Sequence, residues 1–211
     1  MYRDRHDAGR ALARLLTEMA NADAFVLALP RGGVPVAEEI CAALGAPLGL
    51  LPVRKIGLPG QSELAVGAIA RHIAEARVLN DDIVAAVGLT PDEIERLTRR
   101  AREELDARLA AFPARPRDPK GKTAILVDDG LATGATMRAA IAALRLEHAG
   151  EVVVALPVGA PDTVAEIGRT VEHMVCPFQP RPFRSVGEHY LHFGQVEDEE
   201  VRRILTRFGE S

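Results

Sequence analysis

Apolar residues arrive along this chain in two rhythms. Short unbroken runs alternate with longer stretches in which they recur every three or four positions. The runs at 24–29, 48–53, 64–70, 124–127, 151–156 and 171–176 predict strands, several of them apolar enough to be buried on both faces. The periodic stretches at 7–20, 34–44, 91–112, 162–168 and 197–208, and another from Met137 onward, predict amphipathic helices. The first of these carries Leu12, Leu15, Leu16 and Met19 on one side, and the second ends at Gly45. Thr90-Pro91-Asp92-Glu93 marks a helix start, with Thr as cap, Pro in the first turn and Glu three residues after the cap. Ile94, Leu97, Ala101, Leu105 and Leu109 then form an apolar stripe, and the opposite face mixes acids and bases as a solvated face does. Pro113, Pro116 and Pro119 end that helix and lead as a stiff connector into the next strand. Strands alternating with helices predict an α/β fold with a mostly parallel sheet flanked by helices, on one domain spanning residues 1–211.

The densest chemistry lies in AILVDDGLATGAT, residues 124–136. A buried strand ends in two carboxylates, a short loop follows, and a helix begins. Ligands of open α/β sheets sit at such strand ends. Gly130 and Gly134 admit backbone angles and close approaches that a Cβ would block. Free N–H groups at the helix start, the helix dipole and the Thr133 and Thr136 hydroxyls together favour a phosphate. The loop contains no lysine, so it is not the G-x-x-x-x-G-K-[ST] loop of a nucleoside triphosphatase. Asp128 and Asp129 accept hydrogen bonds and so suit hydroxyl groups or a metal rather than a phosphate. A sugar diol joined to a phosphate satisfies both halves of the motif.

Bulk properties narrow the class. A length of 211 residues suits one elaborated α/β domain, and 47% apolar residues can fill its core. A net charge of −4 gives no footprint for general nucleic-acid binding. No apolar run is long enough to span a bilayer, and residues 1–20 do not read as a signal peptide, so a cytoplasmic location is expected. Cys41 and Cys176 are too few for a disulfide framework and read as buried thiols.

Residues 124–136 closely resemble the PRPP-binding motif of type I phosphoribosyltransferases, where PRPP is 5-phosphoribosyl 1-diphosphate. The resemblance implies that Asp128 and Asp129 contact the ribose hydroxyls. It gives Leu131, Ala132, Thr133, Gly134, Ala135 and Thr136 the 5′-phosphate. It also implies a small hood, Mg²⁺ as cofactor held largely by oxygens of PRPP, and a homodimer. Phe25 to Ala37 form a second strand-loop-helix, and its Pro30-Arg31-Gly32-Gly33 loop matches the family's diphosphate loop. By that match Arg31, Gly32 and Gly33 hold the leaving group. Arg54 and Lys55 open a Gly/Pro-rich loop at 54–63 that resembles the flexible catalytic loop of adenine-type enzymes. They would then neutralise the departing diphosphate; a solvated surface turn is the other reading, and Glu63 in the same loop reads as a surface carboxylate. Ala132 stands where 6-oxopurine enzymes carry an aspartate facing the base, which argues against a hypoxanthine- or guanine-type acceptor.

Aromatic residues make up only 4% of the chain, and Phe178, Phe183, Tyr190 and Phe193 cluster within 177–195. Phe183 and Tyr190 are candidates for stacking on a flat acceptor in the hood, and core packing of the same rings is the alternative. His189 and His192 have no partners at metal-ligand spacing. The resemblance covers the sheet core, while the helical insertion at 81–118 and the terminal segment do not match the small members of the family. The implied activity is Mg²⁺-dependent transfer of ribose 5-phosphate from PRPP to a nitrogen acceptor. The alternative is a protein of the same fold that senses PRPP or a nucleotide without transferring anything. A phosphatase is disfavoured, because D-D-G has no second aspartate two residues on.

Overall fold

The computed structural model describes residues 1–17, 23–58, 61–112 and 116–209, with the backbone alone described for 61–64. Helix α1 spans Arg5–Leu16, and strand β1 spans Phe25–Ala28. Helix α2 (Gly33–Leu44) ends at Gly45, which takes the left-handed conformation that suits glycine at a helix end. Strand β2 (Leu48–Leu50) is followed by β3 (Val53–Leu58), β4 (Gln61–Arg71) and β5 (Glu75–Leu79). Helices α3 (Asp81–Val87) and α4 (Pro91–Ala111) come next. The remaining elements are β6 (Thr123–Val127), α5 (Ala135–Leu146), β7 (Glu151–Ala155), α6 (Pro161–Gly168), β8 (His173–Val175) and α7 (Asp198–Phe208). A short 3-10 turn, Gly187–His189, lies before α7.

The main sheet has five parallel strands in the order β2-β1-β6-β7-β8. Alternate side chains divide it into two packed faces, as a pleated strand requires. Val26, Ala28, Ile125, Val127, Val153 and Ala155 face α1, α2 and α7. Phe25, Leu27, Ala124, Leu126, Val152 and Val154 face the layer that contains α5. Chain order runs outward from the β1/β6 pair in both directions, so that pair is the topological switch point of the sheet. The register Ala28↔Val127 makes the two loops that follow these strands emerge side by side.

A second sheet, β3-β4-β5, is antiparallel. Ala68, Ala70 and Ala76 pack toward α5, while Ile56, Val66 and Ile69 pack against Leu97, Ala101 and Leu105 of α4. A register irregularity beside Gly57 lets Val66 share a face with Ile69 despite odd spacing. The α4 start carries the expected capping box, with Thr90 and Glu93 exchanging hydrogen bonds.

Several expectations change. The loop anticipated at 54–63 is a strand over 54–58 and again from Gln61, because pairing with β4 and full burial of Ile56 outweigh the local Gly/Pro signal. Glu63's side chain, Pro59 and Gly60 lie outside the described residues, as do Met19 and Pro113. The strand expected at 48–53 is split, with Val53 joining the second sheet. The apolar pattern does not announce β5, whereas α3 and α4 both fall in the helical region expected at 81–118; Asn80 caps α3 by accepting from Ile83 N–H. Helix α1 begins at Arg5, capped by Asp4, and Leu15 is 48% exposed rather than core.

Candidate active site at the ends of two adjacent strands

Where β6 ends, the backbone delivers Asp128 and Asp129 to the switch point. Asp128 Oδ1 accepts the Asp129 N–H at 2.9 Å. Asp128 faces an open cleft of roughly 840 Å³, shared with Pro30, Thr136, Arg54 and Lys55 and with Leu97, Arg100, Ala101 and Glu104 of α4. Asp129 turns away from that cleft's lining. Its Oδ2 accepts from Arg5 Nε at 2.8 Å and lies 2.8 Å from Arg5 Nη2, and its backbone carbonyl accepts from the Tyr190 hydroxyl at 2.6 Å.

The loop after β1 touches this pair directly. A Cβ on Gly32 would collide with Asp129 Oδ2, and one on Gly33 would collide with the Val127 carbonyl oxygen. At Gly33 a side chain would strike backbone and at Gly32 it would displace the Asp129 carboxylate, so residues 30–33 and 128–129 form one continuous surface. The Pro30–Arg31 peptide is cis.

The loop after Asp129 leaves a run of backbone amides unengaged along part of its length. Gly134 caps α5 in the left-handed conformation, φ +78°. The N–H groups of Ala132 to Thr136 find no acceptor among the described residues. Ala132 and Thr133 have their carbonyls drawn outward, by Thr163 Oγ1 at 2.8 Å and Arg138 Nη1 at 2.9 Å. Five unpaired amides at a helix start carry the positive end of its dipole. Leu131 departs from the expectation. Its side chain is buried, and its N–H donates to the Val158 carbonyl at 2.9 Å, so it anchors the loop and has no amide left for a phosphate.

Cations expected at the diphosphate are present but engaged. Arg31 Nη1 lies 3.0 Å from Asp198 Oδ1 at the start of α7. Arg54 pairs with Glu104 of α4, which also holds Arg100 at 3.4 Å. Lys55 is exposed in the cleft and has no ion-pair partner among the described residues.

The aromatic segment does not present its rings as anticipated. Tyr190 is buried, stacked on Phe193 at 5.0 Å between ring centres and tilted against Tyr2 at 5.8 Å. Its face is therefore spent on packing and its hydroxyl on Asp129. Phe183 is half-buried, 5.4 Å from the His189 ring, which Phe178 also meets edge-on at 5.3 Å. Core packing thus accounts for Tyr190, and Phe183 belongs to the same self-packed cluster beside Val158 and Val186.

Burial raises the Asp128 carboxyl well above its ordinary range, and the neighbouring Asp129 charge raises it further. For Asp129 burial acts in the same direction, and Arg5 opposes it. Both cysteines are buried and unpaired, and burial pushes the Cys176 thiol up to about 12. Among the described residues no His, Cys, Asp and Glu cluster could hold a metal ion by itself. No helix among them is long and apolar enough to cross a membrane.

Sequence reasoning misses Arg5. Its one local signal is that a cation at the first position of a helix opposes the dipole and therefore needs another reason to be there.

The phosphoribosyl transferase domain model matches residues 2–177, and the chain belongs to that family. Two curated proteins of Mycobacterium tuberculosis, from strains CDC 1551 and H37Rv, are 44% identical over 209 residues and are named provisionally as phosphoribosyl transferases. The match covers 98% of this chain and 47% of each relative, so the chain spans about half their length. Among solved structures, TT1426 from Thermus thermophilus superposes with a TM-score of 0.81 at 36% identity, covering 99% of both chains. A purine phosphoribosyltransferase from Pyrococcus horikoshii shares the fold, with a TM-score of 0.51 at 20% identity and coverage of 93% of this chain and 97% of its own.

Proposed function

We propose that this domain transfers ribose 5-phosphate from PRPP to a nucleobase or related nitrogen acceptor, with release of diphosphate. The observation that carries this reading is the glycine contact between the two loops. Gly32 and Gly33 press against Asp129 and Val127, so a diphosphate on one loop and a ribose 5-phosphate on the other would be neighbours. A pure phosphate sensor needs the second loop alone.

Displacement at a sugar carbon develops positive charge on the ring as the leaving group departs. The unengaged oxygen of Asp128 would accept from a ribose hydroxyl and place negative potential near that charge. Amides 132–136 would fix the 5′-phosphate and with it the position of C1′. Mg²⁺ would be held largely by oxygens of PRPP and by waters, and would neutralise the leaving group. Lys55, Arg54 and Arg31 would supply further positive charge there. The ion pairs of Arg31 and Arg54 are at least partly solvated, and such pairs contribute about 1 kcal/mol or less, so a diphosphate can displace their carboxylates.

These same pairs give a specific ground for the sensing alternative, because a protein that only binds a nucleotide has no need to free them. One assay separates the two. PRPP and Mg²⁺ are supplied with a panel of nucleobases and small amines, and diphosphate release is measured. Acceptor-dependent release supports transfer; tight Mg²⁺-PRPP binding without release for any acceptor supports sensing. Neither binding nor release would remove both.

A further inference from the structure

The two acids of the motif are held in unlike ways. Asp128 lines the cleft and receives one backbone N–H. Asp129 receives a guanidinium side-on, through Nε and Nη2 on the same oxygen, from a residue 124 positions earlier. That guanidinium is itself fully placed. Arg5 Nη1 donates to the Gly194 carbonyl at 2.8 Å, and Arg5 Cζ lies 4.0 Å from the centre of the Phe193 ring. Phe193 stacks on Tyr190, and Tyr190 donates to the backbone carbonyl of Asp129. The contacts close into a ring: Asp129 side chain, Arg5, Phe193, Tyr190, Asp129 backbone.

A closed ring of this kind differs from a surface ion pair. Side chains of Arg5 and Asp129 are only 12% and 16% exposed, so their attraction is poorly screened. Each member is fixed by a contact that does not depend on the others' charge. The same Asp129 oxygen that Arg5 holds is the atom a Cβ at Gly32 would strike. Placing that oxygen therefore also places the diphosphate loop.

We infer that Arg5 is a positioning residue of this site: it locks Asp129 as a strut between the phosphate and diphosphate loops and leaves Asp128 as the ligand-facing acid. The ligand part rests on the transferase reading; the strut itself does not. Lysine cannot replace arginine here, because one compact ammonium cannot contact Asp129, reach the Gly194 carbonyl and sit over the Phe193 ring at once. The charged and titratable groups facing Asp129 are Arg5 from α1, Asp128 beside it and Tyr190 from the C-terminal segment. Gly32 brings no charge, and Arg31 on the same loop is turned to Asp198. Without Arg5, Asp129 is a buried acid beside another acid with no cation in contact, and it should take up a proton at higher pH.

The test compares wild type with Arg5→Gln and Arg5→Lys, with two readouts. The first is carboxyl NMR of aspartate-labelled, ligand-free protein across pH. The second is calorimetric titration with PRPP and Mg²⁺ from mildly acidic to mildly alkaline pH. In Arg5→Gln one aspartate titration should move up by about one unit or more. Its PRPP affinity should fall at least about tenfold at neutral pH and fall further as pH drops through the raised value. Arg5→Lys should keep the titration near wild type yet lose several-fold in affinity, which a role in charge alone would not produce. An unmoved titration with PRPP affinity within about twofold of wild type would overturn the inference. If Arg5→Gln does not fold, Arg5→Lys decides: unchanged affinity overturns the role. If wild type itself does not bind PRPP, the transferase reading fails while the NMR titration still judges the strut.

Discussion

The floor and the wall of the cleft are built on opposite terms. The floor, at the ends of β1 and β6, is buried, interlocked and glycine-bounded, and its acids are fixed from several directions at once. The wall, formed by β3 and α4, presents half-exposed cations tied to one carboxylate, Glu104. Removing a floor contact leaves a buried charge or a steric collision, whereas removing a wall contact leaves groups that water can solvate. A fixed floor with an exchangeable wall is what a site needs if it must hold a sugar phosphate rigidly and admit and release a polyanion.

The largest expected breach of that contrast is Gly32→Ala. Its new methyl overlaps the Asp129 carboxylate, so either that side chain leaves Arg5 or the strand ends separate, at a cost of about 1–3 kcal/mol in stability. PRPP binding by calorimetry should be lost even where the variant remains folded. Next comes Leu105→Ala, which tests whether the wall has a core of its own. Leu105 is 1% exposed between α4 and the small sheet, and truncation should cost about 2–5 kcal/mol in denaturant unfolding. The carboxyl titration at Asp129 should not move.

Asp128→Asn comes third and separates stability from function. The folded-state value of Asp128 is raised, so the native state binds that proton more tightly than the unfolded chain does. Ionising it therefore costs stability progressively as pH rises from the ordinary carboxylate range to the raised value, and not below that range. Asparagine removes this cost. Its melting temperature should exceed wild type at neutral pH, and the gain should vanish in acid, while PRPP affinity falls at every pH. The smallest effect is expected for Glu104→Gln on the wall. Freeing Arg54 and Arg100 should change stability by about 1 kcal/mol or less and tighten PRPP binding by a few-fold. A loss of affinity instead would mean that Glu104 orients these cations.

Legibility depends on distance along the chain. The two strand-loop-helix units are readable because their meaning is local: a buried run, then glycines, then a helix start within a dozen residues. Even there the local reading of Leu131 fails, since only the bridge to Val158 shows that its amide is spent. The segment at 54–58 reads as a lid for the opposite reason. Its glycine and proline content is a local signal, and its strand character comes from partners at 61–71 and from α4. Tyr190 stands out in an aromatic-poor chain, but its face and hydroxyl are engaged by Phe193 and Asp129.

Sequence alone determined the α/β alternation and the family, because each is written in periodicity or in one contiguous stretch. Tertiary structure alone decided which acid faces the cleft, which cations are engaged and what Arg5 contacts. Those outcomes depend on burial and on groups meeting across 50 to 167 residues of chain, and no local pattern encodes which distant groups will share a low-dielectric pocket.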